Sequence, residues 1–397
     1  TETRSEMKKL TYLYLLPFAL SILSCSRESE ETKASTPLSD QELEFEIYDS
    51  LVVDYLGNLT LMDISPDGDR YLLVDETTDS IFAVNSSGEQ LYHYKLSGEG
   101  PNQYTSNRYG KIKFLTNDDF LIPTTRGVYK YDIKGQLQKI YKPDFTPMAQ
   151  IIIGGADNLL VNGNQLYLNL PGRGSEEFGS QGVDYQQKST HVEILDLQSE
   201  TYTAAIPFPS SSKFSSEEKA YKFYSFYSNI SLGKDSLYIF YRHEPKIFSY
   251  PLSDLSTLGS TKTIPFDSFF ENEPKSDQVD DNITISELYA GTINKMIAIE
   301  DQQFLIDYLA GLTGAEYNET VAKAGEDVNK QWEELGKINK GGFVIFDGKN
   351  ISSPIEKPEI LGNLDKYISK DEIWFSLNFS AAENDYSVIY KTRLISN

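Results

Sequence analysis

The feature that most constrains the fold is a short pattern that occurs six times along the 397 residues. Each copy has an apolar lead-in, a tight polar turn, and a strand rich in aromatic residues, leucine or isoleucine. The copies span residues 65–74, 115–122, 161–168, 232–239, 299–306 and 368–375. Six β-hairpins at a long period are the signature of a fold built by radial repetition.

A second hairpin follows most copies, so each unit contains about four short strands. The repeated strand begins, in turn, at Tyr71, Phe120, Leu166, Leu237, Phe304 and Ile373. The spacings are 49, 46, 71, 67 and 69 residues. A propeller tolerates such variation because its loops can lengthen outward without disturbing neighbouring blades. The sequence therefore predicts an all-β fold, a six-bladed β-propeller over residues 42–397.

The sixth unit has only three strands after Gly362. Residues 43–55 alternate between apolar and polar side chains ahead of the first repeat, as a strand does. We expect this N-terminal strand to complete the sixth blade and to close the ring, which would leave only short, protected edges.

One segment departs from the β pattern. Its apolar residues recur with helical spacing, and they are Tyr317, Val321, Ala324, Val328, Trp332 and Leu335. The spacing predicts one helix of about six turns over residues 314–336, inserted between the second and third strands of blade 5. Thr313 is expected to cap its start and Gly336 to lie at its end. Packing against the propeller and a role as a lid or docking helix both remain open.

The N-terminal residues have the pattern of a targeting segment. Lys8 and Lys9 precede an apolar run at 10–23, too short to span a bilayer comfortably and typical of a signal peptide. The run ends before Cys25, the only cysteine, in a sequence that resembles a bacterial lipobox. We therefore expect a signal peptide with an upstream extension at 1–24, a lipidated flexible tether at 25–41, and lipidation at Cys25. A lone cysteine cannot form an internal disulfide.

The formal charge of −23 bears on possible partners. A strongly acidic surface repels phosphate backbones, so nucleic acid is not an expected partner. The simplest role of the acidic surface is solubility.

Two short motifs connect the chain to a known family. Ser65-Pro66-Asp67-Gly68 resembles the repeat of TolB-like propellers, and Gly98-Glu99-Gly100-Pro101 resembles a motif that follows blade 1 in six-bladed propeller lipoproteins of the Bacteroidota. The resemblance covers nearly the whole chain. It implies a propeller of largely unknown function at the outer membrane, on its periplasmic or cell-surface side, and supplies no catalytic residues.

The hairpin register brings a group of cations to one face of the predicted propeller. That face carries the connections between blades and the turns between second and third strands. The predicted ligand-binding residues are Arg108, Arg126, Arg173, Arg242, His243, Gly98, Gly100 and Pro101. Arginines on one rim could attract a carboxylate or another anion, or they could pair with acidic neighbours such as Glu176, Glu177 and Glu244. The two glycines and Pro101 could admit a ligand or could only shape a tight loop.

Catalytic motifs are scarce in this sequence. No His-Glu-x-x-His, Cys-x-x-Cys, EF-hand or Gly-x-Ser-x-Gly pattern occurs. We therefore expect an envelope module that binds a protein or a small anionic or carbohydrate ligand, without a cofactor. The aromatic segment 221–227 is a candidate for sugar stacking. Two alternatives stay open: a lactonase-like hydrolase with a central divalent metal such as calcium, and a scaffold subunit of an outer-membrane complex.

Overall fold

The computed structural model describes residue 38 and residues 41–105, 107–148, 157–271, 273–274, 276–279, 285–300, 302–382 and 384–396. Within these residues the chain forms six antiparallel sheets arranged as the predicted six-bladed β-propeller. The predicted signal peptide at 1–24 and nearly all of the predicted tether at 25–41, including Cys25, lie outside the described residues.

The strands are numbered in chain order. They are β1 (Leu43–Val53), β2 (Leu59–Ile64), β3 (Arg70–Asp75), β4 (Ser80–Asn85), β5 (Gln90–Tyr94), β6 (Lys113–Phe114), β7 (Asp119–Thr124), β8 (Gly127–Asp132), β9 (Leu137–Tyr141), β10 (Leu159–Asn162), β11 (Gln165–Asn169), β12 (Val192–Asp196), β13 (Thr201–Ala204), β14 (Ser228–Leu232), β15 (Ser236–Tyr241), β16 (Lys246–Pro251), β17 (Ser260–Thr263), β18 (Thr292–Glu300), β19 (Gln303–Leu309), β20 (Gly341–Phe346), β21 (Leu361–Ser369), β22 (Glu372–Leu377) and β23 (Ser387–Ser396). The helices are α1 (Ser175–Phe178), α2 (Val183–Lys188), α3 (Ile285–Leu288), α4 (Gly314–Ala324) and α5 (Val328–Ile338).

Blades 1 to 4 each contain four consecutive strands, from β2–β5 to β14–β17. The first strand of each blade lies innermost, where it borders the first strands of neighbouring blades around the central channel.

The first hairpin turn has the glycine conformation that its sequence predicts. At the first turn Gly68 has φ 80°, and its N–H donates to the carbonyl oxygen of Ser65 at 2.8 Å.

The N-terminal strand closes the ring, as the sequence predicts. β1 pairs antiparallel with β23, and the sheet order is β1–β23–β22–β21. Phe45 is 1% exposed and contacts the rings of Phe343 in blade 5 and Phe375 in blade 6. The first described strand therefore joins the last blade to its neighbour.

Six apolar clusters hold the blades together, one between each pair of neighbours around the ring. Because both faces of a blade pack against other blades, the middle strands are buried on both sides, as β3 and β4 show. The outermost strand β5 is mostly exposed.

Blade 5 differs from the predicted pattern of four strands. Its sheet contains only β18, β19 and β20. The following segment joins β20 through isolated bridges from Ile351 to Phe346 and from Ile355 to Phe343. Pro354 and Pro358 lie in or beside this segment and lack the N–H that a regular ladder requires.

The helical insertion lies between β19 and β20, where the sequence placed it, but the prediction of one continuous helix is wrong. Thr313 forms a capping box with Glu316 at the start of α4. Gly325, with φ 80°, ends α4, and Asp327 caps α5. Gly336 lies inside α5 and does not end it. In the described residues, no helix is long and apolar enough to cross a bilayer.

Candidate functional site

The loop face is the side formed by the connections between blades and by the turns between second and third strands. Arg108 and Arg126 lie there, beside blade 2. Arg108 Nη2 is 2.5 Å from Glu76 Oε2 and 3.9 Å from Asp79 Oδ1, and its side chain is 10% exposed. Arg126 is exposed, and in the described residues its side chain donates only to the hydroxyl of Thr105, at 3.0 Å. Arg108 is therefore neutralised, whereas Arg126 keeps its charge free.

Arg173 lies on the connection between β11 and β12, and two carboxylates neutralise it. Its Nε donates to Glu193 Oε1 at 2.8 Å and its Nη2 to Asp144 Oδ1 at 2.7 Å. The guanidinium also lies 4.4 Å from the ring centre of Phe145. Burial raises the pKa of Glu193, and Arg173 opposes this rise. These contacts make Arg173 a structural cation that compensates a buried carboxylate.

Arg242 lies in the turn between β15 and β16, on the same face. Its backbone is fixed, because its N–H donates to Tyr227 O at 3.0 Å and its carbonyl accepts from Ile293 N at 2.8 Å. Its guanidinium is half-buried, and across the described part of the chain it has no hydrogen-bond or ion-pair partner. Burial lowers its pKa. The neighbouring Glu244, one of the acidic residues considered as partners, instead accepts from Ser212, Lys213 and Lys246.

His243 follows Arg242 but is buried, with 5% of its surface exposed. Burial, with a smaller contribution from the Arg242 charge, lowers its pKa to about 3. Its ring packs edge-on against Tyr224 at 5.9 Å. The structure thus places a neutral imidazole beside the cation of Arg242 at physiological pH.

The loop of Gly98, Gly100 and Pro101 is held by its own residues. Gly98 has φ 140°, and the Gly100 N–H donates to Gln103 Oε1 at 2.8 Å. Asn102 bonds to Gly135 and to Leu137, at the turn between β8 and β9 on the opposite side from the loop face. In the described structure none of the loop's hydrogen bonds reaches the four arginines. A binding role for this loop stays a prediction.

A polar cluster lies near Arg242, between blades 2, 3 and 4. Tyr227 donates to Asn158 Oδ1 at 3.0 Å, and Asn158 donates to the carbonyl of Tyr109 at 3.0 Å. Asn169 also donates to Asn158, at 3.2 Å, and accepts from Ser228 at 2.7 Å. A small hollow of about 10 Å³, roughly the space of one water molecule, borders this cluster and is lined by Tyr109, Thr125, Met148, Asn169, Leu170, Pro171 and Tyr227.

Charged side chains from four blades meet at the central channel. We call Lys111, Lys113, Asp157, Lys295 and Asp365 the channel cluster. Lys113 Nζ lies 2.7 Å from Asp157 Oδ1, which joins blades 2 and 3. Lys111 donates to the carbonyls of Leu61 and Asp365, and Lys295 donates to the carbonyl of Leu364 at 2.6 Å. The innermost strands thus meet across the axis through lysine side chains.

The charged groups of the channel cluster shift one another's pKa values. Burial and the charge of Lys295 lower the pKa of Lys111 to about 7. The three lysines hold the pKa of Asp157 well below its usual range, against the effect of burial. Burial raises the pKa of Asp365. Perturbed groups in a cleft are candidates for function. None of these five residues was among those predicted from the sequence to form a site.

A central metal receives no support from the described residues, because none of them form a group of three or more histidine, cysteine, aspartate or glutamate side chains that could hold one. The ammonium groups of the channel cluster also occupy the axis and repel cations. The calcium-dependent alternative stays a prediction without a structural observation in its favour.

The aromatic segment 221–227 packs mainly inward. Tyr221, Phe226 and Tyr227 are buried, and the first two belong to the cluster between blades 3 and 4. The rings of Tyr221 and Phe226 both pack against Phe214. These rings are therefore poorly placed to stack on a sugar.

Solved structures similar to this chain share its fold. A member of the DUF4221 family from Bacteroides vulgatus has a TM-score of 0.61 and 10% identity, over 90% of this chain and 99% of that one. A putative exported protein from Bacteroides fragilis has a TM-score of 0.52 and 12% identity, over 91% and 98%. At such identities the likeness shows the fold alone. No family model matches the chain, and no curated protein matches it.

Proposed function

We propose that this protein is a lipid-anchored propeller of the cell envelope that binds an anionic group of a ligand or partner protein on its loop face. Arg242 would recognise the anion. The observation that carries the proposal is the half-buried guanidinium of Arg242, which has no partner in the described residues.

Taking a guanidinium partly out of water costs free energy unless an anion or hydrogen-bond acceptors compensate it. Arg108 and Arg173 show the usual solution, because both have carboxylate partners. In the described residues Arg242 lacks one, and its backbone is bonded to Tyr227 of the polar cluster. An external carboxylate, sulfate or phosphate could form the bidentate contacts that arginine favours.

The proposed location rests on the sequence near Cys25 and on one structural relative. The relative from Bacteroides fragilis is described as a putative exported protein. The lipobox-like sequence before Cys25 would attach this chain to the outer membrane by lipid, on the periplasmic or the cell-surface side. An anion-binding propeller at that site could hold a small acidic ligand, an acidic sugar or an envelope protein.

The test compares wild-type protein with Arg242→Gln. Both are screened by thermal shift against carboxylates, uronic acids, sulfated sugars and phosphorylated compounds, and Kd for the strongest hit is measured by calorimetry. Loss of a charged hydrogen bond should weaken binding by about 10- to 100-fold. The matched control is Arg70→Gln, because Arg70 pairs with Asp118 at 2.9 Å across first-to-second-strand turns, away from the loop face.

Two results would contradict the proposal. One is an anionic ligand whose Kd is the same for wild type and Arg242→Gln. The other is a complete absence of binding across the anionic compounds while the protein remains folded.

A further inference from the structure

Two lysines of the channel cluster lack an ion-pair partner. In the described residues neither Lys111 nor Lys295 forms a salt bridge, although Lys111 is buried and Lys295 is partly buried. Their ammonium groups are held by the consecutive carbonyls of Leu364 and Asp365. The register of β21 shifts between Leu364 and Lys366, and such a bulge can turn neighbouring carbonyls to one side.

The charges around these two ammonium groups do not balance. Lys113 is already paired with Asp157, and Lys366 outside the cluster is paired with Asp63. This leaves Lys111 and Lys295 facing Asp365, whose carboxylate accepts from the N–H of Leu61 at 3.2 Å. When all five side chains are ionised, the cluster of three lysines and two aspartates therefore carries one excess positive charge.

A further carboxylate near Lys295 does not remove the excess. The charge of Asp307 raises the pKa of Lys295 less than the charges of Asp157 and Asp365 do. Asp307 also interacts electrostatically with Lys357. Counting Asp307 together with Lys357 adds one charge of each sign. The net charge of the ionised groups around the channel axis therefore remains +1.

We propose that the channel cluster binds a small monovalent anion between the ammonium groups of Lys111 and Lys295. The anion would separate two like charges and neutralise the excess. It must be small, because Lys111 is only 4% exposed. Chloride and formate have the required charge and size. The site is independent of Arg242 and of the function proposed for the loop face.

The direct test uses bromide as an anomalous scatterer in place of chloride. Crystals of the purified protein are soaked in sodium bromide, and data are collected at the bromine edge. The expected result is an anomalous peak between Nζ of Lys111 and Nζ of Lys295. Peaks only at surface lysines would mean an adventitious ion and would overturn the proposal.

A second test separates anion binding from folding. Tm is measured in sodium gluconate, chloride and formate at equal ionic strength, because gluconate is a much larger anion than the other two. For wild type, Tm in chloride or formate should exceed Tm in gluconate by at least about 1 °C. The rank of chloride and formate shows which kind of anion the site prefers.

Lys295→Met is the decisive variant. It removes one of two like charges, so its Tm in gluconate should equal or exceed that of wild type, and the increment from chloride or formate should vanish. Lys366→Met is the matched control on the same inner ring, since Lys366 is neutralised by Asp63 at 2.5 Å. It should lose stability in every salt yet keep the increment. An increment that survives in Lys295→Met would contradict the proposal. If Lys295→Met fails to fold, the bromide experiment on wild type still decides.

Discussion

Asp307 is the residue whose titration should most clearly affect folding. Burial raises the pKa of its carboxyl to about 6, although Lys295 and Lys357 act in the opposite direction. An unfolded chain titrates aspartate near about 3.9. The folded state therefore holds the proton more tightly, and stability falls as pH rises from about 4 to about 6. Asp307→Asn cannot ionise, so it should escape this loss.

The measurement is urea unfolding of wild type and Asp307→Asn at several pH values. The free energy of unfolding of the variant, relative to wild type, should increase by about 1–3 kcal/mol between about pH 4 and pH 7.5. Asp371→Asn, at an exposed position of the β21–β22 turn, controls for loss of a negative charge. A difference that does not change with pH would show that Asp307 is not the titrating group.

The positions of the arginines in the fold were easier to predict than their ion-pair partners. The hairpin register correctly assigned Arg126, Arg173 and Arg242 to turns or connections on one face. It could not show that Arg173 pairs with Glu193 and Asp144, and not with the adjacent Glu176 and Glu177. An ion pair depends on side chains that fold topology brings together, and a single sequence carries no local signal for that.

Among the elements, β1 has the role most open to a direct test. Phe45 points into the cluster between blades 5 and 6, whereas Val52 on the same strand is 44% exposed. Phe45→Ala should lower the free energy of unfolding by about 3–5 kcal/mol because it removes a buried ring. Val52→Ala should change it by about 0.5 kcal/mol or less. Equal effects in urea unfolding would mean that β1 does not close the ring in solution.

The helical insertion shows the limit of periodicity at this scale. The apolar spacing continues from Tyr317 to Leu335 across a break, so counting apolar residues cannot distinguish one helix from two. The local signal was Gly325 followed by Asp327, a stop and a start two positions apart. The predicted apolar face is also only partly buried, since Val328 and Trp332 are 57% and 54% exposed.

At the scale of the whole molecule, the fold was predictable because the hairpin signal is local and repeated. Each copy contains its own turn chemistry, so six independent signals support one architecture. The channel cluster was not predictable, because Lys111 and Asp365 are 254 residues apart and meet only when the ring closes. Repetition specifies the blades, but the chemistry at the axis depends on where the blades meet.

The proposed attachment of the whole molecule to a membrane can be tested at Cys25, which lies outside the described residues. As the only cysteine in the chain, it is the only side chain that could carry a thioether-linked lipid. In a Bacteroides host, Cys25→Ser should move the protein from the membrane pellet to the soluble fraction and abolish labelling with radioactive palmitate, because anchoring requires the acyl chains. Ser26→Ala, next to the same site, should leave both unchanged. If Cys25→Ser protein stays in the pellet but is released by high salt, the attachment is electrostatic or through a partner, and the lipid anchor is wrong.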